Sequence, residues 1–424
     1  EEDEHKFDFD LLDPTKLVPE ELVPVLPIGK LTLNRNPDNF FAETEQVAFH
    51  PGHLVSGIDF TNDPLLQGRL FSYTDTQLSR LGSPNFHEIP INRPIAPVHN
   101  NQRDGHMRQT INTGKVAYQP NTMAGGCPYQ AKMAEGGFAS YAERIDAKKI
   151  RGRSPSFFDH FSQATLFYNS QSNAEKNHLA KALSFELSKV EIESIKSKML
   201  DLLNHIDKTL ATRVSEAIGV SVPKKSDSLL NQSFGADADP KKCQPIKAKQ
   251  AIEKSEALSM ANTLKNSIMT RQVAFLTADG SDEKSVENMK AALTAEGAIV
   301  TIIAPKLGSF KGKSGGVIKV DQSFLTAASV LFDAVYLPGG ASGVKLLLAE
   351  IDALNFVEEA YRHCKPIALD CEALELFEST YSGKKLTGKG LEKESAALGI
   401  VINKSPKDFV KAIAQHRFWI REDK

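Results

Sequence analysis

The sequence lacks the features that identify secreted, membrane-embedded and zinc-binding proteins. Its four cysteines are scattered, with no C-x-x-C pair and no zinc-ligand spacing. They are Cys127, Cys243, Cys364 and Cys371. This usage excludes a disulfide-stapled scaffold and favours a reducing compartment, so we expect a cytoplasmic location. No apolar run is long enough to span a bilayer, and we therefore expect no membrane association.

Excess charge of one sign and a dinucleotide-binding motif are also missing. The chain has 51 Lys and Arg against 53 Asp and Glu, a formal net charge of -2, and no basic block. This balance argues against nonspecific nucleic-acid binding. The turn "TADGSDE", which follows an apolar run near residue 275, has no G-x-G-x-x-G spacing. The sequence therefore predicts no nicotinamide site there.

The first residues, "EEDEHKFDFDLLDP", contain no initiator methionine, basic segment or apolar segment typical of a leader. We therefore expect a piece of a longer protein or a chain cut from a precursor. The length of 424 residues accommodates two or three domains. Hydrophobic residues at 41% and charged residues at 25% are ordinary for a globular protein.

Residues 1–155 are rich in Pro, Asn, Asp and Phe and have little helical periodicity. Short pieces such as "KLTLNR", residues 30–35, have the composition of strands set among turns. "SPNFHEIPINRPIAPVHNNQRDG", residues 83–105, has too few apolar residues to form a core of its own. A long irregular segment of this kind is usually functional or inter-subunit, so we expect an arm that wraps over another surface.

Residues 156–220 have helical periodicity. The stretch "SNAEKNHLAKALSFELSKV" opens with a capping Ser or Asn and predicts a helix. Beyond it, apolar residues recur at steps of three and four positions, which predicts an amphipathic helix. These residues are Ile192, Ile195, Met199, Leu202, Leu203, Ile206, Leu210 and Val214. Residues 221–268 are polar and predict a linker.

Apolar runs and helical patterns alternate through residues 269–424. Strands are predicted in "RQVAFLTA", "AIVTIIAP", "VLFDAVYLPGG" and "PIALDC". Helices are predicted in "DEKSVENMKAALTAEG", closed by Gly297, in "ALNFVEEAYRHC", and in "SPKDFVKAIAQHRFW", with Pro406 in its first turn. This alternation predicts a doubly wound parallel sheet in a flavodoxin-like domain.

The stretch "GRLFSYTDTQLSR" contains an arginine and a tyrosine four residues apart, Arg69 and Tyr73. On a helix these side chains share one face. A guanidinium beside a phenol favours the phenolate, which is an anionic oxygen ligand for a metal. The ordinary alternative is a surface pair without any ligand.

A longer motif contains this pair and carries a family resemblance. The pattern R-x-F-x-Y-x-D-[ST] is present as Arg69, Phe71, Tyr73, Asp75 and Thr76. With the surrounding stretch from residue 31 to 101, it resembles the proximal haem side of monofunctional haem catalases. Because a helical segment and a flavodoxin-like tail follow, the chain resembles the C-terminal part of a large-subunit catalase. Small-subunit catalases lack that tail.

The resemblance implies an α+β fold with an α/β tail: a partial catalase β-barrel with a wrapping arm and a helical segment, then the flavodoxin-like domain. It divides the chain into barrel core with the haem-ligand helix, wrapping arm, helical segment, linker and tail. The corresponding residues are 1–80, 81–155, 156–220, 221–268 and 269–424. The implied substrate is hydrogen peroxide, and the implied assembly is a homotetramer with interlocked subunits.

The implied cofactor is haem, of b or d type, with its iron. In the family, the tyrosine at the position of Tyr73 is the axial iron ligand. Arg69 would stabilise its phenolate by a charge-assisted hydrogen bond, and Arg80 matches an arginine that pairs with a haem propionate. Phe49 and Leu65 match apolar contacts to the porphyrin, although both could be ordinary core residues.

Two further positions bear on the subclass. Gln77 replaces a histidine of the small-subunit enzymes, which agrees with the large-subunit branch and leaves the haem type open. His50 occupies a position where some large-subunit relatives have a histidine covalently joined to the ligand tyrosine. The alternative is a histidine that only needs hydrogen-bond partners for its ring nitrogens.

Catalase turnover needs a distal histidine for proton transfer and a distal asparagine to orient peroxide. Both lie upstream of this region in the family, and the sequence has no matching segment. His53, His87, His99 and His106 lie in loop-like or arm-like sequence, and we assign none of them to this role. A catalytically silent haem-binding fragment, or a structural module that has lost haem, therefore remain alternatives.

The tail also resembles the class I amidotransferase superfamily, in which a cysteine lies on a sharp turn after a strand. "PIALDCEAL" has Cys371 at that turn, and Asp282 lies near the position of an acidic partner. Glu372 follows the cysteine and opposes thiolate formation, and no matching histidine base is found. We therefore expect a structural appendage, with a thiol hydrolase or redox sensor as the alternative.

Overall fold

The computed structural model describes residues 6–7, 9–55, 57–95, 104–111, 115, 130, 132, 140–142, 144, 146, 155–224, 229–247, 251–387 and 395–423. The chain divides into two compact units. The first unit comprises Glu1–Ser170 and Ala180–Leu258, and the second comprises Gln171–Leu179 and Ser259–Lys424. In the described part of the chain, none of the helices is both long and apolar enough to cross a bilayer.

Helix α1, Pro64–Leu81, contains the Arg–Tyr motif, as the sequence predicts. Asp63 caps its start, because the side chain accepts a hydrogen bond of 2.7 Å from the Leu66 N–H. Pro64 occupies the first turn, where its missing N–H costs nothing. Gly82 ends the helix at φ +71°, a left-handed conformation that glycine adopts without strain. Local sequence signals therefore determine both ends of α1.

Asp63→Ala should destabilise α1 by about 1 kcal/mol, because it leaves the first-turn N–H groups without their side-chain acceptor. Amide hydrogen exchange of peptides from residues 64–81 would measure this as faster exchange in the first two turns. Asp75→Ala, which removes an exposed carboxylate from the middle of the same helix, is the matched control. Equal acceleration in both variants would contradict a capping role for Asp63.

Outside α1 and four later helices, the described residues of the first unit form short helical turns. They are a π-helical turn at Phe41–Glu45 and 3-10 turns at Phe86–Glu88, Pro155–Phe158, Pro240–Cys243 and Glu256–Leu258. Between the turns at Pro155–Phe158 and Pro240–Cys243 the chain forms four helices. They are α2 (Ser162–Ser170), α3 (Asn173–Ser188), α4 (Glu193–Ile206) and α5 (Lys208–Ile218). The helix predicted before residue 190 is confirmed as α3, with Ser172 at its start.

The single amphipathic helix predicted across residues 192–214 is wrong. Asp207 interrupts it in an extended conformation, φ -155° and ψ 127°, and accepts a hydrogen bond of 2.8 Å from the Leu210 N–H to start α5. Short polar side chains favour such caps over helix interiors. The apolar stripe is continuous in sequence, but the backbone changes direction at this residue.

The strand predicted for "KLTLNR" is also wrong. Among the described residues before Gln272, the structure has no β-strand. Leu31 and Leu33 are 87% and 90% exposed, so their alternating pattern has no partner strand within the described residues. A strand is stable only when paired, and composition alone cannot supply the partner. Much of the predicted arm, including residues 96–103, lies outside the described residues.

Described residues of the predicted linker make hydrogen bonds within the first unit. The Ile246 N–H donates to the Phe158 carbonyl oxygen at 2.9 Å. The Ser255 N–H donates to the Ser170 hydroxyl at the same distance, and Ser255 is buried. These contacts attach the segment to the helices that precede it.

The second unit contains a six-stranded parallel sheet. Its strands are β1 (Gln272–Leu276), β2 (Ile299–Ala304), β5 (Gln322–Ser323), β6 (Ala334–Leu337), β7 (Ile367–Leu369) and β8 (Ile400–Ile402). Their order across the sheet is β5-β2-β1-β6-β7-β8. An antiparallel hairpin, β3, Gly308–Lys311, and β4, Val317–Val320, follows β2. The four predicted strands are confirmed as β1, β2, β6 and β7, whereas the hairpin, β5 and β8 were not predicted.

Helices cover both faces of this sheet. They are α6 (Glu283–Ala295), α7 (Ala341–Leu348), α8 (Ile351–Arg362), α9 (Leu374–Glu378), α10 (Tyr381–Thr387) and α11 (Pro406–Gln415). Along β1, Val273 and Phe275 pack into the core that contains α6 and α11, and Ala274 and Leu276 pack into the core that contains α7 and α8. Successive strand residues point to opposite faces, so a continuous apolar run serves both cores.

Asp333, just before β6, links the start of the sheet to charged groups around it. Its carboxylate accepts the Gln272 N–H at 2.9 Å and lies 3.5 Å from His416 Nε2 and 3.6 Å from Arg271 Nη1. Burial alone would raise its pKa. The hydrogen bonds from His416 and Gln272, with the charges of Arg271 and Arg417, lower the pKa of Asp333 to about 2.

This lowered pKa predicts a pH-dependent contribution to stability. The contribution is complete above the unfolded-state pKa near 3.8 and is lost as pH falls from about 4 to about 2. Asp333→Asn should therefore cost about 2 kcal/mol at pH 6 and progressively less at acid pH. Urea unfolding at several pH values would measure it, with the exposed Asp352→Asn as control. A pH-independent difference would rule out this linkage.

Candidate functional site

The centre of the candidate site is the phenol of Tyr73 on α1. The Arg69 guanidinium lies one turn earlier, with Nη2 3.5 Å from the Tyr73 hydroxyl oxygen and its central carbon 5.1 Å from the ring centroid. Both residues are partly buried. The guanidinium thus lies beside the phenol, at the long limit of a hydrogen bond, where it can stabilise negative charge on the oxygen.

One apolar side chain contacts this phenol, and another is exposed earlier on the same helix. The Phe49 ring contacts the Tyr73 ring edge-on, with centroids 5.5 Å apart and an angle of 76°. Phe49 is 58% exposed, and Leu65, two turns before Tyr73 on α1, is 52% exposed. Large apolar side chains left in water beside a polar ligand group are typical of a surface that receives an apolar ligand.

His50 is anchored to the turn of α1 that carries Tyr73. Its Nδ1 accepts the Gly52 N–H at 2.8 Å, and its Nε2 lies 2.7 Å from the Thr74 hydroxyl oxygen. Because that hydroxyl donates to the Leu70 carbonyl oxygen, Nε2 carries the proton. The imidazole is therefore neutral in this arrangement, and desolvation lowers the pKa of His50. A covalent link to Tyr73 stays a prediction.

Gly52 permits this position of the imidazole. A Cβ atom there would lie 2.7 Å from Cε1 and 2.9 Å from Nδ1 of His50. Both distances are shorter than ordinary side-chain contacts. A residue larger than glycine would displace the ring from Thr74.

Gln77 and Arg80 brace the segment that carries Phe49. Gln77 is buried, and its Nε2 donates to the Phe49 carbonyl oxygen at 2.9 Å. Its Oε1 accepts a hydrogen bond of 2.8 Å from Arg80. The Arg80 guanidinium also donates to the carbonyl oxygens of Glu45 and Val47. The structure thus gives both residues a positioning role, and a propionate contact of Arg80 stays a prediction.

Sequence reasoning missed two residues of this arrangement. Asn92 accepts the Ala48 N–H at 2.8 Å and donates to the Gln46 carbonyl oxygen at 2.8 Å, so it holds the chain just before Phe49. Thr74 is the partner of His50. Neither residue carries a motif, and their partners are distant in sequence, so no local signal could identify them.

The other histidines considered from the sequence do not contact Tyr73 in the described contacts. His53 stacks on His50 with ring centroids 4.7 Å apart and on Phe86 at 5.7 Å, and His87 meets His53 edge-on. Desolvation lowers the pKa of His53 and of His87. The His106 carbonyl accepts hydrogen bonds in the arm, and His99 lies outside the described residues.

In the second unit, Cys371 is exposed and starts a 3-10 turn after β7. The carboxylates beside it are hydrogen-bonded to the turn after β6: Asp370 accepts the Gly339 N–H at 2.8 Å, and Glu372 accepts the Gly340 N–H. Asp282 caps α6 and pairs with Lys313 at 2.6 Å. These two backbone N–H groups are thus already used, so neither is open to stabilise an oxyanion.

Three protein-family models match the chain. Residues 1–125 match "Catalase", residues 154–218 match "Catalase-related immune-responsive", and residues 269–423 match "C-terminal domain found in long catalases". The first of these ranges contains the whole arrangement around Tyr73. The third coincides with the parallel-sheet part of the second unit.

Curated relatives agree along the whole chain. "Catalase" of Alkalihalophilus pseudofirmus is 48% identical over 423 residues, covering 99% of this chain and 57% of that protein. "Catalase HPII" of Pseudomonas putida is 47% identical over 426 residues, covering 100% of this chain and 56% of that protein. The chain matches the large-subunit catalases along its length. It spans little more than half the length of these relatives.

Catalases are haem proteins, and the residues around Tyr73 fit that group. Within the described residues, no three His, Cys, Asp or Glu side chains come together to hold a metal ion. A lone phenol cannot retain free iron, but it can be the axial ligand of iron that a porphyrin already holds. The exposed Phe49 and Leu65 offer apolar contact for the macrocycle.

Proposed function

We propose that this chain supplies the proximal haem side of a catalase, which converts two hydrogen peroxide molecules into two water molecules and one oxygen molecule. The observation that carries the proposal is the pairing of Arg69 with Tyr73 on α1, at 3.5 Å, inside the catalase-matching region. The identity with catalases over the whole chain supports the same activity.

Each residue of the arrangement has a role in this proposal. Tyr73 binds the iron through its phenolate oxygen, and Arg69 stabilises that negative charge. Phe49 and Leu65 contact the porphyrin, and Arg80 pairs with a propionate. Haem, of b or d type, supplies the redox chemistry of peroxide.

His50 and Gln77 act through their neighbours. His50 holds Thr74, the residue after Tyr73, and so restricts the rotation of that turn of α1. Gln77 holds the backbone of Phe49, whose ring contacts Tyr73. Turnover also requires a group that moves the peroxide proton, and none of the described histidines is assigned to it.

We assign the second unit to a flavodoxin-like architecture and the first part of the chain to the catalase barrel. Without the two-residue edge strand β5, the strand order is β2-β1-β6-β7-β8, which is the flavodoxin order 2-1-3-4-5.

The proposed assembly is a homotetramer in the cytoplasm. An irregular arm within residues 81–155 that reaches a neighbouring subunit is the basis for interlocked subunits. The free thiols of Cys243, Cys364 and Cys371 agree with a reducing compartment. Size-exclusion chromatography with light scattering on the haem-loaded chain tests the assembly.

Haem reconstitution of the purified chain tests the function. We expect uptake of ferric haem in a ratio of one per chain, with a visible spectrum of the tyrosinate-ligated kind. Oxygen release from hydrogen peroxide, followed with an oxygen electrode, then separates two cases. Oxygen release supports a complete catalase site, whereas a tyrosinate spectrum without oxygen supports a silent proximal half. Failure to bind haem contradicts the proposal for the chain by itself.

A further inference from the structure

A cleft lies at the carboxyl ends of β1 and β6 in the second unit. From β1 the chain turns to β2 on one side, and β6 lies on the other, so the helices that follow β1 and β6 cover opposite faces. In open parallel sheets this reversal leaves a crevice in which ligands bind. The volume of the cleft is about 670 Å³, enough for a small metabolite.

Three lysines line this cleft from two different elements. Lys311 ends β3 and Lys313 follows it, whereas Lys345 lies on α7. Lys313 pairs with Asp282 at 2.6 Å. Within the described residues, neither Lys311 nor Lys345 has a carboxylate within 4.0 Å. Both side chains are exposed, so an anion that enters the cleft can meet two ammonium groups that have no ion-pair partner among the described residues.

The start of α7 offers hydrogen-bond donors at the same cleft. It follows Gly339 and Gly340, whose own N–H groups donate to Asp370 and Glu372. The N–H groups of the first turn of α7 have no intrahelical acceptor, and no side chain caps them. Ser342, in that turn, lines the cleft. Gly340 has φ +106°, and a Cβ atom there would collide with the Gly280 carbonyl oxygen. Glycine at this position thus allows the loops after β1 and β6 to meet closely.

The loop of the hairpin is held in place by a buried carboxylate. Glu283 accepts the Ser314 N–H at 3.0 Å and the Gly316 N–H at 3.1 Å, which fixes the loop between β3 and β4 against α6. Gly312 and Gly316 lie directly on the Glu283 side chain, where a Cβ atom would clash. The loop that carries Lys313 is therefore ordered independently of any ligand.

We propose that this cleft binds a small phosphate monoester. Lys311 and Lys345 contact the phosphate oxygens together with the first turn of α7, a combination that suits a dianion with several acceptor oxygens. Asp279 lines the cleft and accepts the Lys311 N–H with one carboxylate oxygen, which leaves the other for a ligand hydroxyl. Leu346 and Ala349 form an apolar wall for the ligand body.

Lysine acetylation of the full chain, quantified by mass spectrometry, tests the proposal with residue resolution. We expect 10 mM glycerol 3-phosphate or inorganic phosphate to slow acetylation of Lys311 and Lys345 at least about threefold relative to sodium chloride of equal ionic strength. The exposed Lys384 on α10 is the control and should not change. Equal slowing at all three lysines, or none, would overturn the proposal.

Two further outcomes identify the ligand class. If inorganic phosphate slows acetylation of Lys311 and Lys345 but glycerol 3-phosphate does not, the monoester is overturned in favour of free phosphate. Slowing by succinate but by neither phosphate compound overturns phosphate recognition in favour of a carboxylate.

Calorimetric titration with glycerol 3-phosphate provides a second test. We expect Lys345→Gln to weaken binding at least about tenfold, because the variant lacks one of two charge-assisted contacts. Lys384→Gln should bind like the unmodified chain. Unchanged binding in Lys345→Gln would contradict the assignment.

Discussion

The Tyr73→Phe variant should lose haem affinity by more than about 100-fold, and residual haem should lose its tyrosinate-type visible spectrum. Removing even a supporting partner of a metal ligand costs roughly 10–100-fold, and this change removes the ligand oxygen itself. The phenyl ring keeps the edge-on contact with Phe49, so the fold of α1 should be retained. Titration of ferric haem followed by absorbance would measure both effects.

Tyr381→Phe is the matched control, because Tyr381 is 77% exposed in the second unit. It should bind haem with the affinity and spectrum of the unmodified chain. Circular dichroism of both variants would verify that helix content is unchanged. A spectrum in Tyr73→Phe identical to that of the parent would contradict Tyr73 as the ligand and leave Arg69–Tyr73 as an ordinary helix pair.

Phe275→Ala should destabilise the second unit by about 3–5 kcal/mol, because it leaves a cavity in a fully buried position. Phe275 is 0% exposed in the centre of β1, and its ring meets the Tyr336 ring with centroids 4.8 Å apart. Urea unfolding would be monitored through hydrogen exchange of peptides from β1 and β6. This measures the free energy of unfolding of the second unit alone.

Leu325→Ala provides the comparison, since Leu325 is 88% exposed in the same unit. Its effect on the free energy of unfolding should stay within about 0.5 kcal/mol. Haem binding at Tyr73 should be unaffected by Leu325→Ala. A loss below about 1 kcal/mol in Phe275→Ala would contradict the packing of β1 between two helical layers.

The strands and helices of the sheet were predictable because their signals are local. All four residues of β6 are buried. A strand that is buried on both faces is apolar throughout, so it stands out in the sequence as a continuous apolar run. Helix α11 begins with Ser405, Pro406 and Asp408, which form a capping box and first turn that can be identified in the sequence. By contrast, β5 has only two residues, too few for any periodicity.

The candidate site was predictable only in part. The spacing of Arg69 and Tyr73 is a local helical relation, so the sequence suffices to bring them together. Phe49 reaches Tyr73 through contacts of Gln77, Arg80 and Asn92 with backbone carbonyl and N–H groups. Such contacts are open to many polar residues and therefore leave no motif.

The sequence by itself determined helix α1 with its caps, the strand–helix alternation of the tail and the similarity to large-subunit catalases. These depend on neighbours within a few residues or on a long specific motif. Tertiary structure decided that Asp207 divides one apolar stripe into two helices. It also decided that "KLTLNR" has no partner strand in the described part of the chain and that Lys311 and Lys345 line one cleft. Each of these outcomes depends on partners distant in sequence, whose positions are set by packing and not by local preference.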